Sequence, residues 1–278
     1  MNLTELQVQG YTIVKGTIDP SEINTATSLF RNWWEHNDIS HRPIASHGII
    51  KHWKIGHTAS AWYIRTRPGV RGAFEALWGT KDLIVSFDGA CYMPIGTQRR
   101  NQSWLHVDQA PNNPGFQCVQ GFVALTDNSK ATLGVLPGSH LDFVANTATV
   151  PASKRNKRWV KLPLEYSKVV AVQVEAGDLV LWDSRVAHMN FYDPTEERLV
   201  QYVSYLPRAR ATRPDLEKRL KYFGAKRTTS HWAAPLEVVG VQPQTWGNPA
   251  LRIDYGKVSD PADLAVWLAM ENEIKNLV

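Results

Sequence analysis

Hydrophobic and polar positions follow three successive patterns along the chain. Helix-like patterns occupy residues 1–82, short β-like runs fill residues 83–207, and helices return in residues 208–278. In the middle stretch, turn sequences rich in Asn, Pro and Gly separate the apolar runs, which is typical of a sandwich or jelly roll. We therefore predict one domain, mainly β with flanking helices, whose β core is supported by the first stretch and extended by the last. The predicted strands are 83–87, 90–95, 103–109, 116–126, 132–136, 169–174, 179–183 and 198–206, with an earlier one at 10–15.

The helices carry recognisable start signals. Asp19 suits an N-cap, Pro20 the first helical position and Glu22 the returning half of a capping box. The last helix should begin after the sequence Ser-Asp-Pro at residues 259–261, and its apolar residues should form one packed face. The predicted helices are 19–35, 61–78 with a restart at Pro68, 214–223 and 261–276, the last with Leu264, Trp267, Leu268 and Ile274 on its packed face.

Composition narrows the class of protein. A chain of 278 residues with 43% hydrophobic residues reads as an ordinary globular protein. No run approaches the roughly 20 apolar residues of a membrane span, and the N-terminus shows no signal peptide. Two cysteines, Cys91 and Cys118, cannot form a disulfide framework, which favours a reducing compartment. We therefore expect a cytoplasmic protein without a membrane partner.

The charge is only mildly basic. A formal net charge of +5 is too small an excess to indicate nucleic-acid binding. The basic stretch at residues 154–161 is either a solvated loop or a phosphate-binding edge. Four histidines between residues 39 and 60 are either ordinary loop residues or an entrance facing a substrate; they are His41, His47, His52 and His57.

One motif in the β-rich stretch carries chemistry. His106 and Asp108 are two positions apart within the predicted strand 103–109, so their side chains would point to the same face. An imidazole and a carboxylate together make two thirds of a 2-His-1-carboxylate facial triad, the open site of non-haem iron oxygenases. His36 and Asp38 show the same spacing without β-like flanks, and we interpret that pair as chance.

A second histidine and an arginine lie further along. His188 stands just beyond the predicted strand 179–183, where a jelly roll could bring it over the first pair. Arg198 begins an apolar strand, an expensive place for an unpaired guanidinium. Arg198 either forms a salt bridge with Glu196 or Glu197, or clamps a dicarboxylate ligand.

Such a residue set fits a particular chemistry. Ferrous iron accepts imidazole and carboxylate ligands, and three protein ligands leave three coordination positions free. Two can chelate a 2-oxo acid and one can bind O2. The distal carboxylate of the oxo acid then requires a cation, which Arg198 could supply.

Several motifs in order resemble one known family. His106-x-Asp108, the sequence Gly-Val-Leu-Pro-Gly-Ser-His at 134–140, the turn and strand at 177–183, His188 and Arg198 look like the phytanoyl-CoA dioxygenase-like family of iron(II)/2-oxoglutarate oxygenases. The resemblance spans about residues 8–207. It implies a double-stranded β-helix and oxidation of a substrate carbon by O2, coupled to decarboxylation of 2-oxoglutarate to succinate and CO2.

The resemblance also assigns roles to residues. His106, Asp108 and His188 would bind iron(II), and Arg198 would bind the distal carboxylate of 2-oxoglutarate. Asn190, two residues after His188, would assist at that carboxylate. The remaining expectations are that Gln120 and Phe122 share a strand face lining the co-substrate pocket and that His140 is structural.

The resulting hypothesis is an iron(II)- and 2-oxoglutarate-dependent dioxygenase that hydroxylates or otherwise oxidises a small organic molecule. Asp108 speaks against halogenation, because related halogenases lack the carboxylate. Two alternatives stay open at this point. One is a non-catalytic jelly roll that binds a metal or ligand, and the other is an oxygenase acting on a nucleic acid or other macromolecule. The substrate and the oligomeric state do not follow from the sequence.

Overall fold

Short strands and flanking helices build the molecule. The computed structural model describes residues 2–39, 46–98 and 101–278. The helices in these ranges are α1 (Leu3–Gln9), α2 (Pro20–His36), α3 (Ala59–Arg65), α4 (Pro68–Trp78), α5 (Phe143–Asn146), α6 (Arg213–Gly224) and α7 (Leu264–Leu277). The strands are β1 (Tyr11–Val14), β2 (Ile49–Ile50), β3 (Leu83–Val85), β4 (Ala90–Met93), β5 (His106–Val107), β6 (Val119–Ala124), β7 (Asn128–Val135), β8 (Val160–Lys161), β9 (Val170–Val174), β10 (Leu179–Asp183), β11 (His188–Asn190), β12 (Arg198–Val203) and β13 (Tyr205–Pro207).

Two antiparallel sheets form the core. The larger sheet has the strand order β1-β10-β6-β12-β4-β2, and the smaller has the order β8-β5-β11-β7-β9. A separate pair joins β13 to β3. Strands distant in sequence are neighbours in both sheets, as in a double-stranded β-helix. The predicted fold class, mainly β with flanking helices around a jelly-roll core, is confirmed.

Side chains alternate between two hydrophobic clusters. In β6, Phe122 packs into a cluster between the sheets that also holds Trp182 of β10 and Val135 of β7. The neighbouring Val123 belongs to a second cluster, which contains Phe30 of α2 and other helical residues. Because both faces of the larger sheet are covered, its central strands are buried throughout and read as almost continuous apolar runs.

The start of α2 follows the predicted capping box. The carboxylate of Asp19 accepts the backbone N–H of Glu22 at 2.9 Å, and the carboxylate of Glu22 accepts the backbone N–H of Asp19 at 3.1 Å. The predicted break at Pro68 separates α3 from α4. Capping and proline signals are local, which explains why they could be read correctly from the sequence.

The prediction for the last helix was wrong in two respects. Helix α7 begins at Leu264, and the carboxylate of Asp260 instead accepts the backbone N–H of Ala59 at 2.6 Å, at the start of α3. Leu264 and Leu268 are 72% and 59% exposed. The residues of α7 that are buried are Met270, Ile274 and Leu277.

The first and last stretches of the chain share a core. Leu6, Val203 and Val278 all belong to the cluster on the outer face of the larger sheet. The division into an N-terminal support, a β core and a C-terminal extension stays a prediction. Among the described helices, none combines the length and the apolar character needed to cross a bilayer.

Candidate metal centre and the cavity beside it

The residues of the predicted triad lie together. Nε2 of His106 is 3.7 Å from Oδ1 of Asp108, and Nε2 of His188 is 3.3 Å from Oδ2 of Asp108. One nitrogen or oxygen of each residue lies within 4.8 Å of the others, and all three residues are buried. Two imidazoles and one carboxylate at this separation can hold a metal ion with open coordination positions.

The sheet register brings the two histidines together. His188 of β11 is the direct antiparallel partner of His106 of β5. Residues that face each other in such a pair project from the same side of the sheet, with Cβ atoms roughly 5 Å apart. Strand β5 is shorter than the predicted 103–109, so Asp108 lies just beyond its end. There the backbone N–H of Asp108 donates to the carbonyl of Ser184 at 3.0 Å.

Backbone carbonyls orient both imidazoles. Nδ1 of His106 is 3.3 Å from the carbonyl oxygen of Trp104, and Nδ1 of His188 is 3.0 Å from that of Val186. Because a carbonyl only accepts hydrogen bonds, each Nδ1 carries the proton and each Nε2 keeps its lone pair. Both rings are therefore prepared to bind a metal through Nε2.

Electrostatics keep the cluster in a ligating state. Burial lowers the pKa of His106, and the neighbouring His188 lowers it further, although Asp108 opposes the shift. Burial alone would raise the pKa of Asp108, but the charge and hydrogen bonding of His106 and His188 hold that pKa well below its ordinary value. A neutral imidazole beside an ionised carboxylate is the combination that divalent iron requires.

The side chain of Arg198 is fully buried, and none of its three guanidinium nitrogens has a hydrogen-bond partner among the described residues. Neither predicted salt-bridge partner forms an ion pair with it. Glu196 accepts the backbone amides of residues 129–131, and Glu197 pairs with Arg31 at 2.8 Å. An unpaired buried cation costs several kcal/mol, so the arrangement favours an anionic ligand.

Aromatic rings connect Arg198 to the triad. The guanidinium carbon of Arg198 lies 5.4 Å from the ring centroid of Phe122, which lies 5.9 Å from that of Trp182. Trp182 in turn lies 5.5 Å from the ring of His188. Nε1 of Trp182 and Oε1 of Gln120 are also buried without partners among the described residues. Unsatisfied polar groups therefore lie along the path from Arg198 to His188, as a polar ligand between the sheets would require.

A cavity of about 550 Å³ opens beside the triad. This volume suits a small organic molecule. His106 and Asp108 lie in its wall, and three tryptophans supply much of its aromatic surface: Trp104, Trp159 and Trp232. The ionisable side chains in its wall include Lys51, Asp88, Arg158, Lys161, His231 and Glu237.

Comparison with known proteins identifies the family. The profile of the phytanoyl-CoA dioxygenase (PhyH) family matches residues 6–191, which is more than half of the chain. The chain belongs to the phytanoyl-CoA dioxygenase family. The PhyH family comprises non-haem iron- and 2-oxoglutarate-dependent enzymes, so the predicted family, enzyme class and cofactors are confirmed.

Similar proteins agree with a PhyH fold. "Ava biosynthesis cluster protein O" of Aspergillus versicolor is 26% identical over 253 residues, covering 79% of this chain and 81% of its own length. The non-haem monooxygenase ThoJ in its nickel complex has a TM-score of 0.53 at 16% identity, over 98% of this chain and 95% of its own. The epimerase SnoN, in complex with Fe3+, alpha ketoglutarate and nogalamycin RO, has a TM-score of 0.50 at 19% identity, over 73% of this chain and 81% of its own.

Several cavity residues escaped the sequence analysis, and some lie outside the residues matched by the PhyH profile. His231 is bonded through Nδ1 to the carboxylate of Asp88, and its Nε2 lies 3.7 Å from Oδ2 of Asp108. Burial would lower the pKa of His231, but Asp88, with a smaller contribution from Asp108, raises it to about 9. Trp232 donates its indole N–H to the carbonyl of Asp108 at 3.0 Å. No spacing rule links these residues to the triad, so no sequence signal could have found them.

The structure also shows the surroundings of the other residues that the sequence analysis singled out. Nε2 of Gln120 donates to Oδ2 of Asp108 at 3.2 Å, so Gln120 supports the carboxylate directly. Asn190 is buried in β11 two residues after His188. His140 binds the carbonyl of Gln7 at 2.9 Å, as a structural histidine would. His36 is exposed and contacts Ser259 at 2.8 Å.

The loop histidines and the basic stretch each had two possible interpretations in the sequence, and the structure gives different answers for different residues. Of the four loop histidines, His47 lines the cavity, His57 is buried in the core, His52 is half-buried, and His41 lies outside the described residues. In the basic stretch, Arg155 donates to the carbonyl of Val150 at 3.0 Å. Arg158 donates to the carbonyl of Pro235 at 2.8 Å. Two of the cations of this stretch therefore serve the chain itself.

Proposed function

We propose that this PhyH-family protein is an iron(II)- and 2-oxoglutarate-dependent dioxygenase that oxidises a small organic molecule, by hydroxylation in the simplest case. The observation that carries the proposal is the unpaired, fully buried guanidinium of Arg198, connected through aromatic rings to a His-Asp-His cluster. A dicarboxylate co-substrate would satisfy the arginine, and a metal would satisfy the cluster. Iron, 2-oxoglutarate and O2 together supply the oxidising chemistry, with succinate and CO2 as by-products.

Each residue of the chain has a defined task in this proposal. His106, Asp108 and His188 would hold iron(II) and leave three coordination positions open. Arg198 would receive the distal carboxylate of 2-oxoglutarate, since its planar fork matches a carboxylate. Asn190 and Phe122, which lie on neighbouring inner surfaces, would border the same ligand together with Gln120.

The competing functions receive less support. A non-catalytic jelly roll that binds a ligand could also use Arg198, but it would not need that cation together with three metal-binding side chains beside a cavity. An oxygenase acting on a nucleic acid would direct the cations of residues 154–161 to its partner, but only the three lysines are exposed, and both arginines bind backbone carbonyls of this chain. A small-molecule substrate also agrees with the cavity volume of about 550 Å³.

The test is anaerobic reconstitution with iron(II) and 2-oxoglutarate, followed by air. The purified protein should develop the visible charge-transfer absorption of an iron–2-oxoglutarate complex and should release succinate once O2 is admitted. His106→Ala should abolish the absorption. His36→Ala is the matched control, because His36 has the same spacing to an aspartate but lies on an exposed helix end, and it should leave the absorption intact. Absence of both the absorption and succinate from the unmodified protein would refute the proposed function.

A further inference from the structure

The cavity beside the triad combines aromatic walls with lysines that have no acidic partner among the described residues. We infer that the substrate is a planar aromatic molecule bearing an anionic group, with its ring against Trp159 and its anion at Lys161. The inference rests on the proposed function, because it concerns the substrate of the same site. Its three supports are the position of Lys161, the charge pairing of the cavity and the exposure of Trp159.

The register of the smaller sheet places Lys161 next to the metal centre. Strand β5 has β11 on one side and β8 on the other, and His106 pairs directly with both His188 and Lys161. Residues that face each other across antiparallel strands project from the same side of the sheet. Lys161 therefore stands in one row with the two histidines. Its side chain lines the cavity and is exposed, so an anion held there would lie close to the iron-binding residues.

The acidic groups of the cavity are already engaged. Asp88 is bonded to His231, and Glu237 lies 3.4 Å from Nε of Arg158. Asp108 belongs to the metal centre. The cations are not balanced in the same way, because Lys51 and Lys161 have no acidic partner within 4.0 Å among the described residues. The cavity therefore offers unpaired positive charge, which favours an anionic substituent on the substrate.

The aromatic side chains of the cavity flank one histidine ligand. The ring of Trp104 stacks on that of His106, with centroids 4.9 Å apart, and on that of His47, with centroids 3.9 Å apart, so its faces are already covered. The ring of Trp159 lies 5.4 Å from that of His106. Trp159 is 55% exposed and lines the cavity, so its ring is accessible to a ligand that enters there. Nε1 of Trp104 is buried and has no hydrogen-bond partner among the described residues, so it could also donate to a ligand.

Three small probes that differ in charge or in aromatic character can test the inference. They are indole-3-acetate, which is aromatic and anionic, indole-3-acetamide, which is aromatic and neutral, and cyclohexylacetate, which is anionic and not aromatic. Binding is measured by calorimetry on the protein loaded with iron(II) and 2-oxoglutarate without O2. Indole-3-acetate should bind about tenfold more tightly than either of the other two, the size expected for one charge-assisted hydrogen bond or one stacking contact.

Variants assign the two preferences to residues. Lys161→Met should lower the affinity for indole-3-acetate about tenfold and leave that for indole-3-acetamide unchanged. Lys157→Met is its matched control, because Lys157 lies in the same basic stretch but lines only a neighbouring cavity. Trp159→Leu should remove the advantage of indole-3-acetate over cyclohexylacetate. Trp246→Leu, which changes another highly exposed tryptophan away from the cavity, should not.

The outcomes separate this inference from the proposed function. Equal affinity for the three probes, no binding of any probe, or an equal loss in Lys157→Met would overturn the substrate assignment. Weaker binding of 2-oxoglutarate to Lys161→Met would overturn it as well, because the lysine would then serve the co-substrate. If the unmodified protein forms no complex with iron and 2-oxoglutarate, the proposed function itself fails. Formation of that complex without discrimination between the probes would refute only the substrate class.

Discussion

Arg219 lies in the helical layer outside the sheets, and Arg198 lies between the sheets. Both side chains are completely buried. Arg219 donates to four backbone carbonyls, those of Val85, Ala233, Leu277 and Val278, at distances from 2.7 to 3.0 Å. Arg198 has no hydrogen-bond partner among the described residues. The same residue type at the same burial thus stabilises the fold in one region and costs stability in the other, which indicates a ligand at Arg198.

The largest effect is expected at Arg219. Arg219→Met should lower the free energy of unfolding by about 4 kcal/mol, because four carbonyl oxygens lose a buried, charged donor. Chemical denaturation of the metal-free protein measures this loss. A change below roughly 1 kcal/mol would show that water replaces the arginine, and the structural half of the comparison would fail.

Arg198→Met should have the opposite profile. Because the guanidinium has no hydrogen-bond partner among the described residues, replacement of Arg198 should leave the free energy of unfolding within about 1 kcal/mol or raise it. The affinity for 2-oxoglutarate should fall by about 100-fold, the loss expected when a buried carboxylate loses its charged partner. Anaerobic titration of the iron-loaded protein measures that affinity. Arg198→Lys should lie between the two, since it keeps the charge and loses the planar fork. Strong destabilisation of the ligand-free variant would contradict the account.

A buried histidine provides a third prediction, a smaller effect on the free energy of unfolding that depends on pH. His57 is buried in the core, and burial lowers its pKa to about 3. The hydrogen bond to the carbonyl of Arg227 opposes this shift, and the nearby cations Arg65 and Lys226 add to it slightly. Since the unfolded state binds the proton near pH 6.5, the folded protein loses stability as the pH falls below that value. Between pH 7 and pH 5, His57 should cost the folded state about 2 kcal/mol. His57→Gln should remove this dependence. A difference between the two proteins that stays constant with pH would be the contrary result.

The smallest effect concerns two buried glutamines. Gln120 of β6 donates to the carboxylate of Asp108. Gln201 of β12 instead donates to the backbone carbonyl of Gly89 at 2.7 Å. Gln120→Leu should weaken iron(II) or nickel(II) binding about tenfold, as loss of a partner to a metal ligand usually does. Gln201→Leu is the matched control and should leave the metal affinity unchanged. Equal metal affinities of the two variants would remove Gln120 from the site.

The sequence was informative where the signal is local or repeated. The capping box of α2 and the break at Pro68 depend on neighbouring residues only, and the central strands can be predicted from their nearly continuous apolar runs. The short elements were missed because two or three residues, as in β8 and β11, show no period. Asp260 was assigned to the wrong helix, because its cap on α3 is a contact across 201 positions of sequence.

The candidate site also contains residues that the sequence indicated and residues that only the tertiary fold reveals. The sequence singled out His106, Asp108, His188 and Arg198 because two fixed spacings and an isolated cation in an apolar strand are unusual, and because their order resembles one family. The unpaired state of Arg198 could not be predicted, since Glu196 and Glu197 stand beside it in sequence. His231 and Trp232 reach the cavity through the tertiary fold alone. Only coordinates could show that Asp88 and His231 pair beside the metal centre.

A crystal structure of the protein with nickel(II) and 2-oxoglutarate, grown without O2, tests the central claim most directly. The account predicts the metal on His106, Asp108 and His188, and a carboxylate of 2-oxoglutarate about 2.8 Å from the guanidinium nitrogens of Arg198. A structure in which 2-oxoglutarate binds elsewhere, while Arg198 stays buried without an anion, would contradict it.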